Sequence, residues 1–403
     1  MLTQALIQQD LRDLAAAQAE HEQMLLGLPN VVGVALGTKF TQGRDTGTKC
    51  VLVLVDMKLD KQLLGKDDLI PARIGQVPTD VVEIGVVQAG AGPALTTPSP
   101  AELVEMLAWD SQHHPAGEDM TLTPVQRDHV TAWARAARAH AGLPATGAGP
   151  MSAARLRPAV GDLSIGHYRG TAGTLGICCT DAPAIAVGGM NGRTPTMMMP
   201  AQSRRFYVLS NNHVLANCND AAIGDPILQP APADGGTHHS DTLARLARFV
   251  PIKFGTDRTT MPINMVDAAI AETRFDQVDR RVHWIGEPRH TNPAPMIGQA
   301  LQASGRASHY STSRVVAVNA TVIVHYPGGR TARFAKQILS PAMTTAGDSG
   351  ALGLDTERRP VGLLFAHSPR VSVFNPVPLI EQMLGICITD PGIESTNRPS
   401  ATR

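Results

Sequence analysis

Three short segments hold the residue types that could make and break an acyl bond. They are FYVLSNNHVLAN with His213, INMVDAAIAE with Asp267, and TTAGDSGALGL with Ser349. A serine hydroxyl is a poor nucleophile at neutral pH and needs a base to take its proton. Histidine titrates near the working pH, so His213 can accept that proton and return it. A buried carboxylate, here Asp267, would fix the imidazole tautomer and stabilise the imidazolium. The glycines have a separate task. Gly347 lets the backbone turn so that two amides face one point. The amides of Gly347 and Ser349 would then form an oxyanion hole.

Taken singly, each segment has an ordinary structural reading. A histidine after a strand is usually a core or surface residue, and Gly-Asp-Ser-Gly also suits a plain turn. Chain order separates the readings. His213, Asp267 and Ser349 run in the order His, Asp, Ser. A nucleophile-elbow hydrolase would run Ser, Asp, His around Gly-x-Ser-x-Gly, and residues 347–351 read GDSGA. The remaining histidines do not gather. His113-His114 and His238-His239 are adjacent pairs in polar stretches, and neighbours in sequence seldom bind one metal together. Asp162 and Asp234-Gly235-Gly236 do not build a calcium loop. No metal and no cofactor are expected.

The elements that must position these residues change character along the chain. Residues 4–26 carry a partial apolar stripe, Leu6, Leu11, Leu14, Met24 and Leu25, ended by Gly27 and Pro29, and read as a helix. VVGVALGTKF and KCVLVLVDMKL flank the turn-rich TQGRDTGT and read as a hairpin. PTDVVEIGVV follows as a third strand, closing a small α/β unit near Gln88. AGAGPALTTPSP is a linker by composition. Two helices are expected next. Ser99-Pro100-Ala101-Glu102 and Thr123-Pro124-Val125-Gln126 both show capping grammar, and Val130, Trp133, Ala134 and Ala137 share one face of the second. From Leu156 the pattern becomes short strands broken by turn residues, among them GTLGICC, RFYVLSN, DTLARLARFV, VDAAIAE, RVVAVNATVIVHY, GALGL and PVGLLFAH. This is the signature of a mainly β sandwich or barrel protein. PLIEQMLGI reads as a closing helix, and the end of the chain as a disordered tail. The expected division is 1–90 α/β unit, 91–155 helical connection, 156–392 β domain and 393–403 tail.

Composition bounds the function classes. The chain has 403 residues, enough for two or three units and a sizeable core. Lys plus Arg equals Asp plus Glu at 35 each, which leaves no electrostatic footprint for nucleic acid or an anionic membrane. Aromatics make up only 4%, too few for base-stacking platforms. The start lacks a basic, apolar, small-residue leader pattern, so the expected location is the cytoplasm. Cys50, Cys178, Cys179, Cys218 and Cys387 are odd in number and fit no zinc spacing. They are expected as buried, reduced thiols, with Cys178 and Cys179 on opposite faces of a strand.

Residues 156–390 resemble the trypsin-like serine peptidases of the chymotrypsin-type double β-barrel. The likeness is strongest to a bacterial subgroup that also resembles the plant narrow-leaf trypsin-like proteins. It is carried by LRPAVGDLSIGHYRGTAGTLG, VLSNNHVLAN, IGDPILQPAPADGG, VDAAIAE, GDSGAL and VGLLFAHS. The stretch from NVVGVALGTKF to QVPTDVVEIG resembles that subgroup's leading domain. The resemblance implies a serine endopeptidase acting on protein or peptide substrate, with His213, Asp267 and Ser349 as triad and Gly347 in the oxyanion role. It puts Met343 at the base of the primary specificity pocket and His367 on its wall. Two departures stand out. Val214 follows the histidine where classical trypsins carry cysteine, and no Ile-Val-Gly-Gly start precedes GTLG. An amine freed by cleavage to pair with Asp348 is therefore not expected. Met343 supplies no charge for a Lys or Arg side chain, so a small or apolar residue before the scissile bond is expected. Residues 95–150 are longer than the subgroup's usual connection, and a regulatory protein partner and self-association stay open. The competing reading is a catalytically silent peptide-binding scaffold on the same fold.

Overall fold

Side chains on a strand alternate between its two faces, so the adjacent Cys178 and Cys179 must enter different cores. In the computed structural model they do: Cys178 packs with Leu163, Val208 and Val214, Cys179 with Tyr207, Leu209 and Ile270. Cys50, Cys178, Cys179 and Cys218 are buried thiols outside any disulfide. Burial pushes the thiols of Cys50, Cys178 and Cys218 up to about 12. The structure describes residues 8–41, 44–90, 151–182, 205–290 and 294–389. The helices expected between residues 95 and 150 and the tail at 393–403 lie outside the described residues.

The N-terminal unit begins with helix α1 (Arg12–Gly27). Strands β1 (Val31–Thr41) and β2 (Arg44–Val55) form the hairpin, β3 is Arg73–Ile74, and β4 (Val77–Glu83) runs parallel to β2. The hairpin is longer than the sequence indicates. Phe40 pairs with Asp45 and Thr41 with Arg44, inside the stretch read as a turn. A bulge between Thr38 and Phe40 and the Thr38 hydroxyl on Asp45, at 3.0 Å, accommodate the polar residues there.

The next strands are β5 (Ala159–Gly161), β6 (Ser164–His167), β7 (Gly173–Thr174), β8 (Ile177–Asp181), β9 (Phe206–Ser210), β10 (Pro226–Leu228), β11 (Thr242–Phe249), β12 (Ile263–Asn264), β13 (Ala269–Thr273) and β14 (Val278–Val282). Helix α2 (Asn212–Leu215) follows β9 directly. A sheet ordered β22-β8-β9-β13-β11-β10-β6-β7 makes the first barrel, with β22 (Ile386–Cys387) supplied from the far end of the chain. The Gly176 amide donates to the Leu209 carbonyl at 2.9 Å. The chain leaving β7 therefore rejoins β9 and the sheet curls closed. Ile165, Leu175, Val208, Leu246 and Ala269 fill the inside.

The second barrel uses β15 (Ala300–Gly305), β16 (His309–Arg314), β17 (Ala317–His325), β18 (Thr331–Pro341), β19 (Leu352–Leu354), β20 (Pro360–His367) and β21 (Val371–Pro376), followed by helix α3 (Val377–Leu384). Its order is β16-β15-β19-β20-β21-β18-β17. The Val316 amide donates to Leu339 at 2.9 Å and brings the β16 end against β18. The sheet continues past β17 into β1-β2-β4-β3, with Gly33 opposite Val322 and Gly37 opposite Ala317. The unit expected over residues 1–90 thus shares one sheet with the second barrel. It also shares its cores: Leu11, Leu25 and Leu26 pack with Val318, Ile338 and Phe374. The architecture is mainly β, as the strand pattern indicates.

Ile177, Tyr207 and Leu209 of the first barrel meet Leu352, Leu363 and Val377 of the second. A buried ion pair reinforces this junction. Arg306 donates Nε and Nη2 to the two carboxylate oxygens of Asp234, at 2.9 and 2.8 Å. The two side chains are 0% and 1% exposed. Ser164 also donates to Asp234. Removing one partner of such a pair leaves an uncompensated buried charge. Asp234→Ala is expected to destabilise the chain by about 3–5 kcal/mol. Urea unfolding of the variant against the wild type checks this, and an unchanged midpoint would contradict it.

Candidate active site

His213 follows an apolar strand, Asp267 precedes one, and Ser349 lies in the loop between two. β9 buries Tyr207, Val208 and Leu209 and then releases Asn211 and Asn212 into α2, whose second residue is His213. Asn212 is fixed by Nδ2 donating to Val250 O at 2.7 Å and to Asn219 Oδ1 at 2.8 Å. Asp267 lies between the buried Val266 and Ala268, just before β13. Ser349 lies between β18 and β19 of the second barrel, so the three residues come from both barrels.

His213 and Asp267 are brought together. His213 Nδ1 is 2.7 Å from Asp267 Oδ2, and the His213 amide donates to Oδ1 at 3.2 Å. Asp267 is fully buried. A carboxylate in that position needs further donors, and Tyr326 supplies one, its Oη donating to Oδ2 at 2.8 Å. Burial pushes the Tyr326 phenol well above its usual range, and the Asp267 charge adds to the rise. Tyr326 therefore keeps its proton and donates it. The ring also meets the imidazole edge-on, with centroids 6.0 Å apart. The Asp267 backbone is pinned at both ends. Its amide donates to Asn375 Oδ1 at 2.9 Å, and its carbonyl accepts from Asn211 Nδ2 at 2.8 Å.

The Ser349 loop is clamped to the first barrel by Thr174. The Thr174 amide donates to Ser349 O at 2.7 Å, and its hydroxyl donates to Gly347 O at 3.0 Å. Gly173 touches both sides: a Cβ there would run into Val214, the neighbour of His213, and lie 2.8 Å from Ser349 O. Gly347 and Gly350 both have left-handed φ, 103° and 101°. A side chain on Gly350 would collide with the Ser210 hydroxyl and the Thr174 carbonyl. The loop thus has room only for glycine at that corner.

Two details of this loop bear on its chemistry. The amides of Gly347 and Ser349 belong to buried residues and have no hydrogen-bond partner among the described residues. The two amides flank Asp348 and are donors that an oxyanion could use. The imidazole Nε2 of His213 is likewise buried with no partner. The Ser349 hydroxyl does not bond it here; it donates to the carbonyl of Gly90 at 3.4 Å.

Asp348 answers the question of the missing N-terminal amine. Its Oδ1 accepts the amides of Ala307 and Ser308 at 2.8 and 3.0 Å, and its Oδ2 accepts that of Thr345 at 2.8 Å. Three amides already satisfy the carboxylate, and no ammonium is needed. Met343 is half-buried against the Ile338 and Phe374 cluster, and its amide donates to Ser372 Oγ at 3.2 Å. His367 ends β20, half-buried, and burial pulls its imidazole below the ordinary range despite the Asp348 charge. Its backbone amide and carbonyl both pair with Gln88.

A second His–Asp contact, His283 Nδ1 to Asp162 Oδ2 at 3.1 Å, does not repeat this arrangement. The nearby Ser304 donates to the aspartate, not to the histidine. Sequence reasoning missed Tyr326, Thr174, Asn375 and Asn211. Only Asn211 carried a signal, as part of the Asn-Asn-His run.

No protein-family model matches the chain, and no curated protein matches it. Among solved structures it is similar to protease A of Thermobifida fusca, at 12% identity and a TM-score of 0.37, covering 56% of this chain and 96% of that one. It is similar also to a chymotrypsin of Cellulomonas bogoriensis, at 16% identity and a TM-score of 0.35, with 56% and 96% covered. A third is a glutamic acid-specific serine protease described as using a histidine triad in substrate binding. There the identity is 14% and the TM-score 0.39, with 57% and 98% covered.

Tyr326→Phe removes one donor from Asp267 and keeps the buried ring. A hydrogen bond to a charged group is worth about 1.5–3 kcal/mol, or at least tenfold in rate. Acylation of Ser349 by a fluorophosphonate is expected to slow by about tenfold or more. A labelling time course checks this, with the melting temperature as a control for folding; an unchanged rate would remove Tyr326 from the site.

Proposed function

We propose that the chain is a serine endopeptidase that hydrolyses peptide bonds through an acyl-enzyme on Ser349. The observation that carries this reading is the sealed His213–Asp267 pair, whose Nε2 is left without a partner while Ser349 Oγ rests against a peptide carbonyl. In the proposed cycle Ser349 attacks the carbonyl carbon and its proton passes to His213 Nε2. Asp267 holds Nδ1 and offsets the imidazolium charge, while Tyr326 shares the load on Oδ2. The amides of Gly347 and Ser349 receive the oxyanion. His213 then protonates the leaving amine, and water repeats the sequence to free the acid. The four thiols at Cys50, Cys178, Cys179 and Cys218 are buried and unpaired, which supports a reducing compartment such as the cytoplasm. Control by a protein partner belongs to the same proposal.

The unmade bond between Ser349 and His213 favours one competitor, a silent peptide-binding scaffold. A fluorophosphonate probe separates the two: the peptidase is labelled at Ser349 and the scaffold is not. On a peptide library, Ser349→Ala is expected to lose roughly 10⁶ in turnover and Asp267→Asn on the order of 10⁴. Undiminished cleavage by Ser349→Ala would remove the serine from the reaction.

A further inference from the structure

Asn375 accepts the amide of Asp267, and Asn375 is itself held by a residue deeper in the second barrel. Its Nδ2 donates to Gln337 Oε1 at 2.6 Å. Gln337 Nε2 in turn donates to Met265 O at 2.9 Å and to Ala335 O. Met265 stands two residues before Asp267. The bonds therefore close a ring that runs from the Asp267 amide through Asn375, Gln337 and Met265 and back along the chain. Gln337 and Asn375 are both fully buried. Each end of the ring has a fixed polarity. A backbone amide only donates, so Asn375 turns its oxygen to Asp267 and its nitrogen to Gln337. Backbone carbonyls only accept, so Gln337 turns its nitrogen to Met265 and Ala335. Neither side-chain amide can flip without setting like groups face to face.

The strand that carries Gln337 leaves its regular pattern at this point. On β18, Phe334 and Leu339 pack into the same core around Tyr326. They are an odd number of residues apart, and a regular strand would put them on opposite faces. Val322 faces Phe334 and Ala320 faces Gln337, so β18 holds one extra residue between those pairs. Lys336 takes it up with a φ of 69°. Ala317 faces Leu339, so β17 holds an extra residue in turn, and Asn319 takes it up with a φ of 53°. Lys336 Nζ donates to Asn319 Oδ1 at 2.8 Å and ties the two bulges together. A left-handed lysine is uncommon, and a bulge re-aims the side chains beside it. Here it turns Gln337 to the face of Leu339. One step along the β18–β21 ladder from Ile338 and Phe374, Gln337 then stands across from Asn375.

We propose that Gln337 is a positioning residue for the triad, a role that rests on the peptidase reading above. It holds the Met265–Asp267 backbone to the second barrel and so sets Asp267 Oδ2 at 2.7 Å from His213 Nδ1. Asn211 grips the Asp267 carbonyl from the first barrel, and the ring through Gln337 is the opposing grip. Without Gln337, Asn375 is free to turn and the Met265 carbonyl loses this donor. The peptide that carries Asp267 then loosens on one side. At a proton-transfer site such misplacement is felt in the rate.

Three measurements on the full-length protein test this. They are the rate of Ser349 labelling by a fluorophosphonate, the downfield proton NMR signal of His213 Nδ1–H, and the melting temperature. Gln337→Met keeps the length of the side chain and removes both polar ends. It is expected to slow labelling on the order of tenfold and to move the imidazole proton upfield. Gln302→Met is the control. That buried glutamine of β15 donates to Asp355 O at 2.7 Å and accepts from Tyr310 Oη at 3.1 Å. Its loss is expected to lower the melting temperature and to leave the rate and the proton as in the wild type. If Gln337→Met does not fold, Gln337→Glu keeps the shape, gives up the Nε2 donor and is expected to show the same two changes. A rate and a proton signal unmoved in the Gln337 variants, or moved as far by Gln302→Met, overturn the positioning role alone. The proton signal needs no turnover. A wild type that takes no label defeats the endopeptidase reading, and the proton still decides whether Gln337 sets the His213–Asp267 pair.

Discussion

A carboxylate sealed from water costs several kcal/mol unless its oxygens are answered, and Asp267 is sealed completely. Its answers come from widely separated parts of the chain. The helix after β9 gives His213, the end of β17 gives Tyr326, and β21 gives Asn375 to the backbone amide. A fourth, Asn211, holds the carbonyl. His213 and Asn211 share the first barrel with Asp267, whereas Tyr326 and Asn375 reach it only when the second barrel is docked. The imidazole is thereby aimed by the completed fold rather than by any local motif. Such aim is what a proton-transfer site requires, since positioning errors of an ångström cost rate steeply.

That dependence extends to the N-terminal unit. Tyr326 follows immediately on β17, and β17 is the strand on which β1 docks. The core around Tyr326 includes Leu52, Leu54, Ile84 and Val87 from the N-terminal residues. The donor to Asp267 is therefore packed from one side by a unit that is distant in sequence. A change in how that unit sits would be felt at the imidazole through one phenol. The Thr174 clamp plays the matching part for Ser349, tying its loop to the first barrel by two hydrogen bonds. Arg306 joins the same clamp, its amide donating to the Thr174 hydroxyl at 3.0 Å while its guanidinium is paired with Asp234.

The sequence made some of this legible and hid the rest, for physical reasons. Short apolar runs broken by turn residues located β8, β9, β13, β17 and β20, because strands buried on both faces read as nearly continuous apolar runs. His213, Asp267 and Ser349 stood out because acyl-transfer chemistry calls for those types in that order; the fold joins His213 to Asp267, while Ser349 bonds Gly90. Gly347 was readable because a turn there, with φ of 103°, favours glycine. Pairings were not. The β1–β17 ladder joins residues nearly the whole chain apart, and nothing local in either strand names its partner. Tyr326 and Thr174 looked like ordinary strand-end residues, since their roles are single long-range hydrogen bonds. The polar residues at 44–48 looked like a turn, and cross-strand pairing drew them into β2 instead. Residues 87–90 looked like the edge of a linker, because their order comes from the two strand ends that receive them.

The state of Asp348 decides what kind of control this site can have. Where a buried acid waits for a charged amine, the loop beside the serine is built only when that amine arrives. Here the acid is already filled by the amides of Ala307, Ser308 and Thr345. The loop carrying Gly347 and Ser349 is consequently formed without any prior cut. Under the proposed function, restraint of such a loop would come from filling the groove that leads to it. Backbone pairing at His367 is indifferent to side chains, so an intramolecular strand can fill that groove without a matched pocket. Under the proposed function, a peptide substrate would compete with Val87–Gly90 for the strand edge at His367, and β1 and α1 would set how firmly that edge is held.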